Sequence, residues 1–384
     1  DTNPTMGSLN YYKVSAINAY GVDAVSNTDS DMAGLPPDAP TITTAIPNPN
    51  TAPLDIVISI TNGASNGTGT ITNYEIYRDS TLVATTGVVS SHTDTVPSGG
   101  GTFAYEVKTV TDHGTSALSS SVSQTTPTPP PAPSSAPTLD IANPDSNPFD
   151  VTVTYAMPSS GGSAINSFEI FRSIDDVSFT SVGTTTTLIF SDTVPNAGTF
   201  YYKFASTNLV GNSGQSPSSS IATPTVPVAD SSVTLSIDNP NPNPLDVTVS
   251  FVAPSSDGGS AVLTYDLHSS PDDVTYTPIA TGVTADQTVT VANAGTWYFK
   301  SLTTNNVGSS VLGIAVSIAT PTVPVSDSSV TLAIADPNAT PLDVTVSFTA
   351  PTSNGGSNVT GYNLSSSPDD SVYTQVATNV TADQ

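Results

Sequence analysis

The stretch "PLDVTVSF" at 244–251 decides how the rest of this sequence reads. It places Leu245, Val247, Val249 and Phe251 on one face and Asp246, Thr248 and Ser250 on the other. A period of two is the signature of a strand with one buried face. The same phrase returns at 341–348, and near copies stand at 53–60 ("PLDIVISI") and 148–155 ("PFDVTVTY"). Their central acids, Asp55, Asp150, Asp246 and Asp343, recur about every 96 residues, so the chain is an internal repeat.

A second phrase runs in register with the first. It reads "GTFAYEVKTVTDHG" at 101–114, "GTFYYKFASTNLVG" at 198–211, "GTWYFKSLTTNNVG" at 295–308 and "SLNYYKVSAINAYG" at 8–21. Between the two markers of the copy at 225–321 lie "SVTLSI", "LDVTVSF", "LTYDLHS", "YTPIATGV", "QTVTV", "WYFKSLTT" and "VLGIAVSI", divided by turn clusters such as "PSSDGGS". Seven short strands in one period, with no helical periodicity, predict an all-β chain of tandem seven-stranded β-sandwiches in a linear array. The boundaries follow: residues 1–36 are the C-terminal half of a repeat, 37–125, 136–224 and 225–321 are complete repeats, and 322–384 are an N-terminal half. Residues 126–135 form a Pro-rich linker, expected to be a stiff spacer that sets the second copy off, whereas the "TPTVPV" links are tight and alike.

These residues resemble fibronectin type III domains. The tyrosine-corner strand of that family is matched by Tyr12, Val14, Asn18 and Gly21, and again by Tyr202, Phe204, Asn208 and Gly211. The "GGS" phrase before the third strand appears at 161–163, leading to Phe168 and Ile170. Two positions depart from the family. Its second-strand tryptophan is Ile60, Tyr155, Phe251 or Phe348 here, and the corner tyrosine is Phe299 in one copy, which removes its hydroxyl bond. The resemblance implies that the third and sixth strands are neighbours in one sheet.

The formal charge is −26, although only 10% of residues are charged, because Lys and Arg number six. Nucleic acid and anionic membranes need clustered cations, so the charge balance argues against both as partners. The acidic surface suits an exposed, mutually repelling prokaryotic protein. No cysteine is present to staple the sandwiches, and no stretch reaches the ~18 to 20 apolar residues of a membrane span.

Candidate chemistry is thin. "GASNG" at 63–67 spells a serine-hydrolase elbow around Ser65, but that elbow needs a helix after it, and here a turn between strands is expected. His92, His113 and His268 fall at unrelated repeat positions and match no metal spacing. The acid pairs Asp175–Asp176, Asp272–Asp273 and Asp369–Asp370 recur in the turn after the third strand. They read as turn formers, with Ca²⁺ the one cofactor they suggest. No catalytic residue and no other cofactor is expected. Asn66, Asn338, Asn358, Asn363 and Asn379 are sequons and candidate glycan attachment sites.

All Glu, Lys and Arg residues fall on or beside the predicted third and sixth strands. Cross-strand ion pairs are expected there, Glu169 with Lys203 and Asp266 with Lys300. The lysines should point outward, away from the corner tyrosine, which argues against a buried lysine–asparagine crosslink. The single tryptophan, Trp297, is expected in a core strand, which weakens a glycan-stacking role.

Repetition, stiff links and the absence of a reactive cluster point first to a structural component of an extracellular or cell-surface fibre, stalk or surface layer. An adhesin or glycan-binding array, or the spacer region of a secreted polysaccharide-degrading enzyme, are the alternatives. The phrase "VTADQ" stands at 283–287 in mid-repeat and again at 380–384, while residues 1–14 resemble its continuation. The expectation is that the end of one copy is completed by the beginning of another, head to tail, through covalent continuation or strand exchange.

Overall fold

The computed structural model describes residues 3–326, 328–334, 338–339 and 343–381. Every regular element in them is a β-strand, as the period of two requires. No helix among the described residues is long and apolar enough to cross a membrane. The chain divides into two compact units, Asp1–Asp140 with Thr152–Asp192 and Phe200–Ile221, and Ile141–Val151 with Thr193–Thr199 and Ala222–Gln384.

In the first unit, one complete sandwich is built from Thr41–Ala45, Asp55–Thr61, Ile71–Arg78, Thr81–Thr86, Ser91–Thr95, Thr102–Thr111 and Val122–Thr125. The first, second and fifth strands make one antiparallel sheet, and the fourth, third, sixth and seventh make the other. Third and sixth are neighbours, as the family resemblance implied. The two inner faces meet in a core of Ile56, Ile58, Ile60, Tyr74, Ile76, Val96, Tyr105 and Val107. Strand alternation puts these residues inward, together with Thr109 and Thr111 at the end of the sixth strand, and turns Val57, Ser59, Glu106 and Lys108 the other way.

The second unit contains a sandwich of the same plan, from Ser232–Ser236 through Val316–Ala319, with strand orders 1-2-5 and 4-3-6-7. Its core is Val233, Val247, Val249, Leu267, Val291 and Phe299. The sheets of repeat 136–224 follow the same strand orders. There, in the first unit, Tyr155 takes the place of the family tryptophan, with its ring 4.5 Å from Phe204 and 5.0 Å from Phe168. The Tyr155 hydroxyl donates to the Thr187 carbonyl at 2.8 Å, so a smaller ring fills the position with its polar end satisfied.

The partial repeats keep strand pairing but bury less. Leu9–Tyr12 pairs with Asp29–Met32, as sixth and seventh strands do, and Ser329–Ala333 pairs with Thr345–Thr349. Val344 is 47% exposed, whereas Val247 at the aligned position of a complete sandwich is fully buried. The expected approach of the two chain ends lies outside the described residues, since Asp1, Thr2 and 382–384 are among those not described.

Candidate functional site

The most repeated non-core geometry lies where one sandwich follows another. Thr128, Thr225 and Thr322 each donate their backbone amide at 2.8 Å to a turn glycine of the sandwich that follows, Gly161, Gly258 and Gly355. These glycines have φ near +70 to +77°, and a side chain at Gly258 would put its Cβ 2.2 Å from the Thr225 carbonyl. Only glycine permits both that backbone shape and the close approach. The corner asparagine then secures the link. Asn305 Nδ2 donates to the carbonyls of Thr225 and Asp257 at 2.8 and 2.7 Å, while its Oδ1 accepts from Val307 and Gly308. Asn208 repeats the arrangement on Thr128 and Ser160, at 2.8 Å each.

A second contact joins the sandwiches themselves. A side-chain oxygen in the loop between first and second strands accepts a backbone amide from the glycine-rich turn of the next repeat. Asn50 accepts from Ala164 at 2.7 Å within the first unit. Asp145 accepts from Ala261 at 2.6 Å and Asn241 from Asn358 at 2.8 Å within the second. The linker 126–135 was expected to be a spacer apart from the others. Its Thr128 and the Asn50–Ala164 contact instead reproduce what the two later links do. The reason is that Thr128, set between Pro127 and Pro129, keeps the N–H that a proline lacks.

The sandwich edges carry a second pattern. Arg78 and Asp94 face inward at the open edge between the fourth and fifth strands, and pair at 2.7 Å. Tyr105 donates to the same Asp94 oxygen at 2.7 Å, and the Arg78 guanidinium sits 5.8 Å from the Phe103 ring. Arg172, Asp192, Tyr202 and Phe200 repeat this constellation at 2.8, 2.6 and 5.8 Å. Burial first, and then the bond to the aspartate, push both tyrosine hydroxyls above their ordinary pKa. This triad was not read from the sequence.

The ion pairs that were expected do not form. Register sets Glu169 opposite Ala205 and Asp266 opposite Leu302, two residues along from the lysines, which stand opposite Phe171 and His268. Lys203 lies 4.1 Å above the Phe179 ring and Lys300 4.3 Å above Tyr276, so each cation rests on an aromatic face. The lysines do point outward: in 199–207 they alternate with the buried Tyr202 and Phe204.

The acid pairs act as turn formers. Asp175 Oδ1 accepts from Ser173 Oγ and from the amides of Val177 and Ser178. Asp272 and Asp369 are held the same way by Ser270 and Ser367 and by amides of their own loops. The bonds from the Ser178 amide, then Ser173 and Val177, bring the Asp175 carboxyl down to about 2. Asp176, Asp273 and Asp370 take φ of 59 to 61°, a left-handed shape that aspartate tolerates. Among the described residues, no group of three or more His, Cys, Asp or Glu converges as a metal site.

Ser65 lies in the turn between second and third strands with no helix after it, and its hydroxyl accepts from the Gly67 amide at 3.1 Å. His92 lies on a fifth strand, His113 meets Thr68 Oγ1 at 3.1 Å, and His268 stands opposite Lys300, so the three do not meet. The five sequon asparagines are exposed. Asn363 Oδ1 accepts the Asn379 amide at 3.0 Å, which ties two of the candidates to one strand pair. Trp297, expected in the core, packs against it but is only half-buried. Its indole Nε1 donates to the Asn293 carbonyl at 3.0 Å.

No family model matches the sequence. Among curated proteins the chain is similar to Exoglucanase B of Cellulomonas fimi, 27% identical over 301 residues. That match covers 74% of this chain and 26% of the relative, so the chain spans about a quarter of the curated relative's length. Among solved structures it is similar to the chicken CNTN1 FN1-FN3 domains, at 14% identity and a TM-score of 0.25, over 74% of this chain and 99% of that one.

Proposed function

We propose that this chain is a spacer, a series of sandwich modules that sets the separation of other parts of an extracellular protein. One observation carries the reading: the threonine, glycine and loop-acceptor contacts recur at three successive links. A joint held by backbone amides resists reorientation, and a spacer needs that resistance more than it needs a pocket. The similarity to Exoglucanase B supports the finer form, the spacer of a secreted polysaccharide-degrading enzyme. The net charge of −26 supports a module that keeps neighbouring chains apart.

The test is solution X-ray scattering of the chain beside the variant Asn50→Ala/Asp145→Ala/Asn241→Ala. The expected outcome is one well-defined maximum dimension for the unaltered chain and a broadened distance distribution for the variant. Identical scattering from the two would overturn the reading.

A second reading is a head-to-tail fibre. It is favoured by the core-type residues left exposed in the partial repeats, one supplying sixth and seventh strands and the other first to fourth. Sedimentation that rises with concentration supports it; a constant monomer rejects it.

A further inference from the structure

The copy at 225–321 departs from its two neighbours at three positions together. Arg78 stands opposite Tyr105 and Arg172 opposite Tyr202, but the same register places Ser269 opposite Phe299. Asp94 stands opposite Ile56, while Val289 occupies that place opposite Val247. Cation, anion and hydroxyl are therefore lost as a set, so no charge is left stranded. The ring beneath the arginine also changes, from Phe103 and Phe200 to Trp297.

Replacing arginine by serine leaves space at the edge between fourth and fifth strands. A cleft of about 410 Å³ opens there, lined by Ser269, Thr277, Ile279, Val289, Thr290 and Trp297. That size lies within the ~300 to 1,000 Å³ of small-molecule sites. The Trp297 ring is fixed in advance by its bond to the Asn293 carbonyl. Ser269 is only 5% exposed and lines the cleft.

We propose that this cleft is a binding subsite for one ring of a neutral glycan. A sugar ring has an apolar face of C–H groups and a rim of hydroxyls. The indole, Ile279 and Val289 offer the apolar counterpart, and Ser269 and Thr277 offer rim hydroxyls. A cationic ligand finds no carboxylate in the cleft, because the aspartate has become Val289. An anionic one meets a chain of net charge −26. A purely apolar ligand would strip water from the Ser269 and Thr277 hydroxyls without replacing its hydrogen bonds.

Trp297 is the only tryptophan, so its emission reports on the cleft alone. The chain is titrated with neutral β-linked hexasaccharides of glucose, xylose and mannose, and separately with arginine methyl ester as a guanidinium probe. The expected result is a saturable emission change with at least one hexasaccharide. It should be lost in Ser269→Arg/Val289→Asp/Phe299→Tyr, which restores the plug that the neighbouring sandwiches carry. Trp297→Phe, followed by calorimetry, should bind about tenfold more weakly. No saturable change with any hexasaccharide up to ~10 mM overturns the proposal. So does undiminished binding by the plugged variant, or saturation by the guanidinium probe alone. The plugged variant is expected to fold, because the same residues close the same edge twice elsewhere in the chain.

Discussion

Replacing Asn305 with alanine removes the one side chain that fixes both a link and a corner. Asn305 is 3% exposed. It makes four bonds of 3.1 Å or shorter, two as donor to the carbonyls of Thr225 and Asp257, and two as acceptor from Val307 and Gly308. At ~1 kcal/mol net per bond the loss is about 4 kcal/mol. That is a large part of the ~5 to 15 kcal/mol that holds a domain together. For a domain of this size, one unfolding transition should fall by roughly 15 to 30 °C. Scanning calorimetry of the whole chain should show that transition moving while the others stay. Asn208→Ala should cost the same within ~0.5 kcal/mol, because its geometry is the same and the two sites share no partner. Asn305→Asp keeps the acceptor but turns a buried carboxylate oxygen toward the Thr225 and Asp257 carbonyls, so it should cost at least as much as the alanine change. A loss below ~1 kcal/mol, or unequal losses at the two asparagines, would refute the claim that these amides secure the links.

Four further outcomes are expected. Asp94→Ala strands Arg78 and Tyr105 and should cost about 2 kcal/mol in urea unfolding, discounted because the pair is partly exposed. The triple change Arg78→Ser/Asp94→Val/Tyr105→Phe should cost less than that single change, and the reverse order would refute the idea of replacement as a set. Burial pushes the Tyr155 hydroxyl up to about 12, above its unfolded value of ~10. Its contribution is therefore present below pH ~10 and lost as pH rises through about 12, so absorbance at the phenolate band should show Tyr155 ionising only with unfolding. Asp175 runs the other way: its depressed pKa of about 2 gives stability present above the unfolded value and lost as pH falls, readable by carboxyl NMR titration. Gly258→Ala must shift the Thr225 carbonyl and adopt φ of +77°, so it should destabilise by at least ~1 to 2 kcal/mol in the same calorimetric scan.

The period of two in "PLDVTVSF" was enough to place a strand with Val247 and Val249 inward, because alternation is a local property. The aspartate pairs were legible as turns for the same reason: Ser173, Asp175 and Val177 are near neighbours in sequence. Ion pairing was not legible, because it depends on register. Two residues of offset separate an expected Glu169–Lys203 pair from the observed Glu169–Ala205 pairing. The Arg78–Asp94 pair crosses from one sheet to the other and spans 16 residues, with no periodic signal. The joint contact between Asn50 and Ala164 spans 114 residues, and nothing local marks it. A signal did exist for the cleft. Aligning the three copies column by column shows Arg, Asp and Tyr giving way to Ser269, Val289 and Phe299 in one copy only.

The loop contact between sandwiches asks little of the sequence. Its donor is a backbone amide, which every residue but proline supplies, and its acceptor is any side-chain oxygen at one loop position. Asn50, Asp145 and Asn241 fill that position interchangeably. A junction specified so loosely survives unequal crossing-over, because any copy carries both halves of the joining rule. Gene duplication can then lengthen or shorten the array by whole modules without inventing a new interface, and length itself becomes a trait on which selection can act.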